Sequence, residues 1–146
     1  MAEMPQSNTQ VSRRFTELFG TDDPSLADTV LVADVVFHGL AGGVLRGIEA
    51  TKAFIAAYRA AFPDARSTVE DQVAQGDRVA TRWRARGTHT GPLGELAPTG
   101  RSFDVGGITI ERFAHGRIAE VWVVRDELGL LRQLGALPEP VTAGAA

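Results

Sequence analysis

Apolar positions recur at helical spacing in the first third of the chain and at every second position beyond it. VSRRFTELF sets Val11, Phe15, Leu18 and Phe19 on one helical face. Asp23-Pro24 supplies an N-cap and a first-turn proline, predicting a short helix through Leu31. VADVVFHG then has the composition of a short strand. IEATKAFIAAYRAAF gathers Ile48, Phe54, Ile55, Tyr58 and Phe62 on one side of a long helix that ends before Pro63. After Pro63 the period changes to two. RSTVEDQVAQ and RVATRWRARGT, joined at Gly76-Asp77, predict a hairpin, and RSFDVGGITIERF and RIAEVWVVRD, joined at His115-Gly116, predict a second. The stripe Leu128, Leu131, Leu134 then predicts a terminal helix.

Helices first, a long antiparallel meander and a last helix make an α+β layout. Its curved mixed or antiparallel sheet wraps a concave face around the helices as a cone with a pocket at the open end. At 146 residues the chain is the size of one domain, with residues 1–8 expected to be a disordered N-terminus, 9–137 the domain and the Pro/Ala/Gly-rich 138–146 a flexible tail. A net charge of −3 argues against nucleic acid or an anionic membrane as partner. The polar N-terminus has no secretion-signal pattern and no apolar run approaches the ~20 residues of a membrane span, so the expectation is a cytoplasmic soluble protein. Without cysteine there is no thiolate metal site or thiol nucleophile, and the three histidines lack metal-ligand spacing. GGVLRG at 42–47 precedes a helix but lies outside any βαβ unit, and neither a P-loop nor G-x-S-x-G is present. No metal and no cofactor is expected.

The chemistry concentrates in EVWVVRDELGLLRQLG, where a strand passes straight into a helix at Asp126. Strict alternation puts Ile118, Glu120, Trp122, Val124 and Asp126 on one face. If that face is the pocket wall, Asp126 beside Trp122 and Val124 loses hydration and becomes a general base. Equally, Asp126 is a favoured N-cap for the helix that follows, in a capping box left incomplete by Gly129. Glu120 shares the face and can share the work. Trp122 is a candidate cavity wall for a flat substrate. Tyr58, the one tyrosine, is the only phenolic donor available to an oxyanion hole, or else plain core. Arg82, Arg84 and Arg86 alternate on the face opposite Thr81, Trp83 and Ala85, as a solvated or dimer-facing surface. Arg112 has no place by parity and is kept as a candidate substrate contact.

The segments AFPDARSTVEDQVAQGDRVATRWRARGTHTGPLGELAPTGR and IERFAHGRIAEVWVVRDELGLLRQLG resemble the SnoaL-like polyketide cyclases of the NTF2-like superfamily, over roughly residues 34–135. The motifs GTHTG, PTGR, RFAHGRIAEVW and DELGLLRQLG, in that order, carry the resemblance. It implies a cofactor-independent intramolecular aldol cyclase acting on a polycyclic polyketide-like molecule. Asp126 falls on the family's acid/base aspartate, and His38 and His89 fall on histidines common in it. Either histidine can bond a substrate carbonyl or hold the carboxylate, or simply satisfy loop backbone. Epoxide hydrolases of the superfamily use an Arg-x-Asp pair that ITIERF lacks. Two alternatives stay open: a non-catalytic ligand-binding or dimerisation module, and a hydroxylase or isomerase relative. The resemblance also implies a homodimer, through a sheet face expected to carry Val121 and Val123.

Overall fold

The computed structural model describes residues 7–40 and 43–137. Helix α1 (Asn8–Glu17) opens with a complete capping box, in which Ser7 accepts from the Gln10 N–H and the Gln10 side chain accepts from the Ser7 N–H. Residues 7 and 8 therefore belong to an ordered helix start rather than to the disordered segment expected there. Residues 1–6 and the expected tail at 138–146 lie outside the described residues. A 3-10 turn (Leu18–Gly20) follows, then α2 (Leu26–Val30), β1 (Leu31–His38), β2 (Val44–Arg46) and α3 (Ile48–Ala61). Asp23 does not cap α2 directly. Its carboxylate accepts from the N–H and hydroxyl of Ser25, shaping the turn ahead of the helix.

The meander is β3 (Arg66–Gln75), β4 (Arg78–Thr88), β5 (Ser102–Ala114) and β6 (Arg117–Arg125), closed by α4 (Glu127–Gln133). One six-stranded sheet results, in the order β2-β1-β6-β5-β4-β3. All neighbours are antiparallel except β1 and β6, which run parallel with Phe37 opposite Val121 and His38 opposite Trp122. The helices lie in the concave face. Val11 and Phe15 of α1 and Leu18 pack with Phe37, Phe113, Ile118 and Val121, while Tyr58, Phe62, Phe103, Leu130 and Leu134 form a second cluster towards α4.

A bulge in β6 governs what faces the pocket. Phe113 pairs with Ile118, but the next residue along β5, Arg112, pairs with Glu120, so Ala119 has no partner of its own. One unpaired residue reverses the side-chain alternation beyond it. Ile118 points inward, and after the bulge Val121 is buried and Val123 and Arg125 line the cavity, while Val124 is 75% exposed. Strict alternation, which assigned Trp122, Val124 and Asp126 to the pocket wall, fails at this point. Val121 and Val123, expected on the outer face, are inside. The outer face carries Val73, Ile108, Ile110 and Val124 instead.

Candidate active site

The cavity lies between the helices and the concave sheet. Its walls are Phe15, Phe19, Phe54 and Leu40 on the helix and loop side, and Trp83, Ala85, Thr109 and Val123 on the sheet. It is a narrow slot of about 610 Å³ including solvent at its mouth. Trp83 reaches into it because the residue opposite is Gly107, where an added Cβ would stand 2.3 Å from the indole. The indole N–H donates to the Thr109 hydroxyl at 2.7 Å, which fixes the ring as a flat wall. Tyr58 contributes from α3. It packs edge-on against Phe19 and Phe62, and burial raises its phenol above the usual range, so the hydroxyl keeps its proton.

Charge enters the slot at the β6–α4 corner. Arg125 and Glu127 both line it, with Arg125 Nε donating to a Glu127 oxygen at 2.9 Å and Nη2 lying 2.8 Å from that same oxygen. The guanidinium carbon lies 6.0 Å from the Tyr58 ring centre. Between these two residues, Asp126 turns the other way. Its carboxylate is exposed, belongs to a shallow outer groove with Ile108 and Val124, and accepts from the Gly129 N–H at 2.9 Å as the N-cap of α4. Gly129 explains the incomplete capping box. A Cβ there would stand 2.2 Å from the Asp126 carboxylate, so the cap closes because that position is bare.

Four of the other candidate residues meet on the outer face of the sheet. Glu120 accepts from His38 Nε2 at 2.7 Å and from Arg112 at 3.2 Å. The His38 bond, reinforced by Arg112, holds its carboxyl below the usual range. Trp122 is stacked on His38 at 5.3 Å and covered by Arg78, so it stands outside the slot. His89 is fully buried against Phe62; its Nδ1 accepts from the Thr99 N–H, and its Nε2 has no hydrogen-bond partner among the described residues. Among the candidate site residues named from sequence, only Tyr58 lines the slot. Arg82 pairs with Glu70, and Arg84 and Arg86 pair with Asp104, so the arginine row is a paired outer surface.

Deeper in the cone, Glu111 is completely buried. It accepts from Ser12 at 2.9 and 3.0 Å, and the Ser12 hydroxyl also bonds Thr81, which Gln72 reaches in turn. Burial pushes the Glu111 carboxyl up to about 8 despite these bonds. Among the described residues no three His, Asp or Glu side chains are grouped to hold a metal. No helix among them is long and apolar enough to cross a membrane.

The result is a cone of helix and sheet around an apolar slot, closed by a strand-to-helix corner that bears charge. The model of the SnoaL-like polyketide cyclases matches residues 9–134. The chain belongs to this family. Among solved structures of similar fold, TsrD from Streptomyces laurentii is 33% identical, with a TM-score of 0.82 over 92% of this chain and 100% of that one. IdmH from Streptomyces antibioticus, a candidate polyketide cyclase, is also 33% identical, with a TM-score of 0.78 over 89% and 99%. AclR from Streptomyces galilaeus, a candidate hydroxylase, is 26% identical, with a TM-score of 0.76 over 91% and 89%. No match is found among curated proteins.

For a SnoaL-like chain the residues missed from sequence were Trp83, Thr109, Arg125 and Glu127. Two signals pointed to the first two of these. The Gly106-Gly107 pair inside an otherwise regular strand marks a place where a neighbour's side chain must pass close. Thr109 shares the parity of Phe103 and Val105, so a polar atom on the inner face needed a partner.

Proposed function

We propose that this SnoaL-like protein closes a ring in a polycyclic, polyketide-like molecule by intramolecular aldol condensation, without a cofactor, inside the slot. What carries the reading is the slot's composition: a flat apolar enclosure with its charged groups confined to one corner. A substrate folded there has its nucleophilic carbon and its carbonyl held together and water kept out, which supplies much of the rate. A corner carboxylate removes a proton from a carbon between carbonyls. The enolate carbon forms a bond to a second carbonyl carbon of the same molecule, and the proton returns to the new alkoxide.

The family resemblance supports Asp126 as that carboxylate. The geometry supports its neighbour Glu127, which lines the slot while Asp126 caps α4 from outside. Asp126→Asn and Glu127→Gln, assayed side by side for cyclisation of a panel of linear poly-β-ketones, separate them. The variant lacking the base loses about 10²–10⁴-fold in turnover. If neither falls tenfold, the aldol mechanism is wrong. His38, Glu120, Arg112 and Trp122 form a connected outer cluster whose proposed part is indirect, in holding β1 against β6 behind the slot. His89, which relatives suggest as a carbonyl contact, has its proposed part in anchoring the 89–101 loop. We also propose a homodimer through the outer sheet face. The support is the apolar group Ile108, Ile110 and Val124, each at least 40% exposed on that face.

A further inference from the structure

Arg125 sits oddly for an ordinary ion pair. Its side chain is only 18% exposed, within a slot otherwise lined mainly by aromatic and aliphatic groups. Its one hydrogen bond to Glu127, from Nε, and the close approach of Nη2 fall on the same carboxylate oxygen, so the guanidinium fork is not matched by two parallel bonds. Its Nη1 has no hydrogen bond among the described residues. The partner, Glu127, is 53% exposed, and its side chain has no other hydrogen bond among the described residues. A half-exposed carboxylate on a short, single-oxygen contact is an exchangeable occupant, because it regains hydration when it leaves.

The strand register adds the second half of the site. Trp83, Gly107 and Arg125 are consecutive cross-strand partners on β4, β5 and β6, and Trp83 and Arg125 both line the cavity. With no side chain at Gly107, the six-membered edge of the indole lies across it towards the strand that bears Arg125. A planar wall and a planar cation therefore flank the same floor. Tyr58, protonated and buried, stands beside the guanidinium. Guanidinium groups match planar pairs of anionic oxygens in two parallel bonds, and they discriminate strongly once water is excluded.

We propose that Arg125 is the specificity-determining residue of the slot, binding a planar two-oxygen anionic edge on a flat ligand, and that Glu127 is a built-in counter-ion which the ligand displaces. An enolised 1,3-dicarbonyl and an aryl carboxylate both present such an edge. The inference rests on the slot being the reaction site, and it says which end of the substrate goes to the corner. It also links the two corner residues. Protonation of Glu127 discharges it and frees the fork, so an enolate and a free guanidinium arise together.

The test reads binding without turnover. Parent protein, Arg125→Met, Arg125→Lys and Glu127→Gln are titrated with three probes at pH 7.5. These are 2-naphthoate, its neutral shape-mate 2-acetonaphthone, and benzoylacetone followed by the near-ultraviolet band of its enolate. Expected is a preference of the parent for naphthoate over acetonaphthone that Arg125→Met reduces at least tenfold, with acetonaphthone binding unchanged. Arg125→Lys keeps part of the preference, having charge without the fork. Glu127→Gln tightens naphthoate, because the competing carboxylate is gone. Benzoylacetone responding in step with naphthoate identifies the enolate as a ligand, and a response from naphthoate alone identifies the carboxylate. The proposal is overturned if Arg125→Met binds both anions as the parent does, or if Glu127→Gln weakens them as Arg125→Met does, the mark of a purely structural pair. A slot that binds the anions yet cyclises nothing sinks the proposed reaction and leaves this inference standing.

Discussion

Glu111 gives the sharpest quantitative expectation. The carboxyl is fully buried, and its pKa rises from 4.5 to about 8 because burial outweighs the Ser12 and Thr81 hydrogen bonds. In the unfolded chain it titrates near the ordinary value, so between those limits folding takes up a proton. An acid whose folded pKa is raised contributes its full stability below about pH 4.5 and loses it as pH rises towards 8. Each pH unit across the window removes about 1.4 kcal/mol, which sets a ceiling of about 5 kcal/mol. Glu111→Gln keeps the shape, an oxygen to accept from Ser12 and no titration. The difference in unfolding free energy, variant minus parent, should therefore be small near pH 4.5 and grow to several kcal/mol in the variant's favour by pH 8. Urea midpoints at half-unit intervals measure it, and taking the difference cancels the exposed carboxylates common to both. A difference that stays flat from pH 5 to 8 would refute the reasoning, since it would mean that the carboxylate is not proton-linked to folding.

Other expectations follow from the same structure. Asp126→Asn retains a capping oxygen and should leave stability within about 1 kcal/mol of the parent, whereas Asp126→Ala loses the bond from the Gly129 N–H and about 1 kcal/mol or more; thermal melts decide. Gly107→Ala drives a methyl into the Trp83 indole and should cost about 1–3 kcal/mol, with a changed near-ultraviolet circular dichroism spectrum as the ring leaves the slot. An unchanged spectrum would show that the indole does not depend on that bare position. Val124→Lys places a charge at the centre of the outer apolar group and should convert a dimer to a monomer in light scattering at micromolar concentration. A parent that is monomeric under the same conditions removes the dimer proposal.

The meander was legible because its signals are local. Period-two alternation and the Gly76-Asp77 and His115-Gly116 turns place β3 to β6 within a residue or two of their observed ends. The same parity placed Arg82, Arg84 and Arg86 outward and Thr81, Trp83 and Ala85 inward, as observed. What escaped was non-local. β2 is three residues long and exists only by pairing with β1. The parallel contact of β1 with β6 joins segments some eighty positions apart, and no periodicity encodes it. The bulge at Ala119 leaves no mark in an alternating run, yet it decided which half of EVWVVRD meets the slot. Hence Tyr58, placed by helical spacing alone, was found on the wall, while Trp122 and Asp126, placed by counting along β6, were not.

That unpaired alanine has a consequence for how such a protein diverges. Were Ala119 to take a partner of its own, the rest of β6 would slip one position along β5. With Ile118 still inside, that slip would turn Glu120, Trp122 and Val124 into the cone and Val121, Val123 and Arg125 out of it. An apolar slot with a guanidinium corner would become one lined by an indole and a carboxylate, without a single amino acid being exchanged. A one-residue slip of register is thus a route by which this fold can trade one interior for another, whereas deleting Ala119, which leaves Ile118 two positions from Val121, would lock the present one in place.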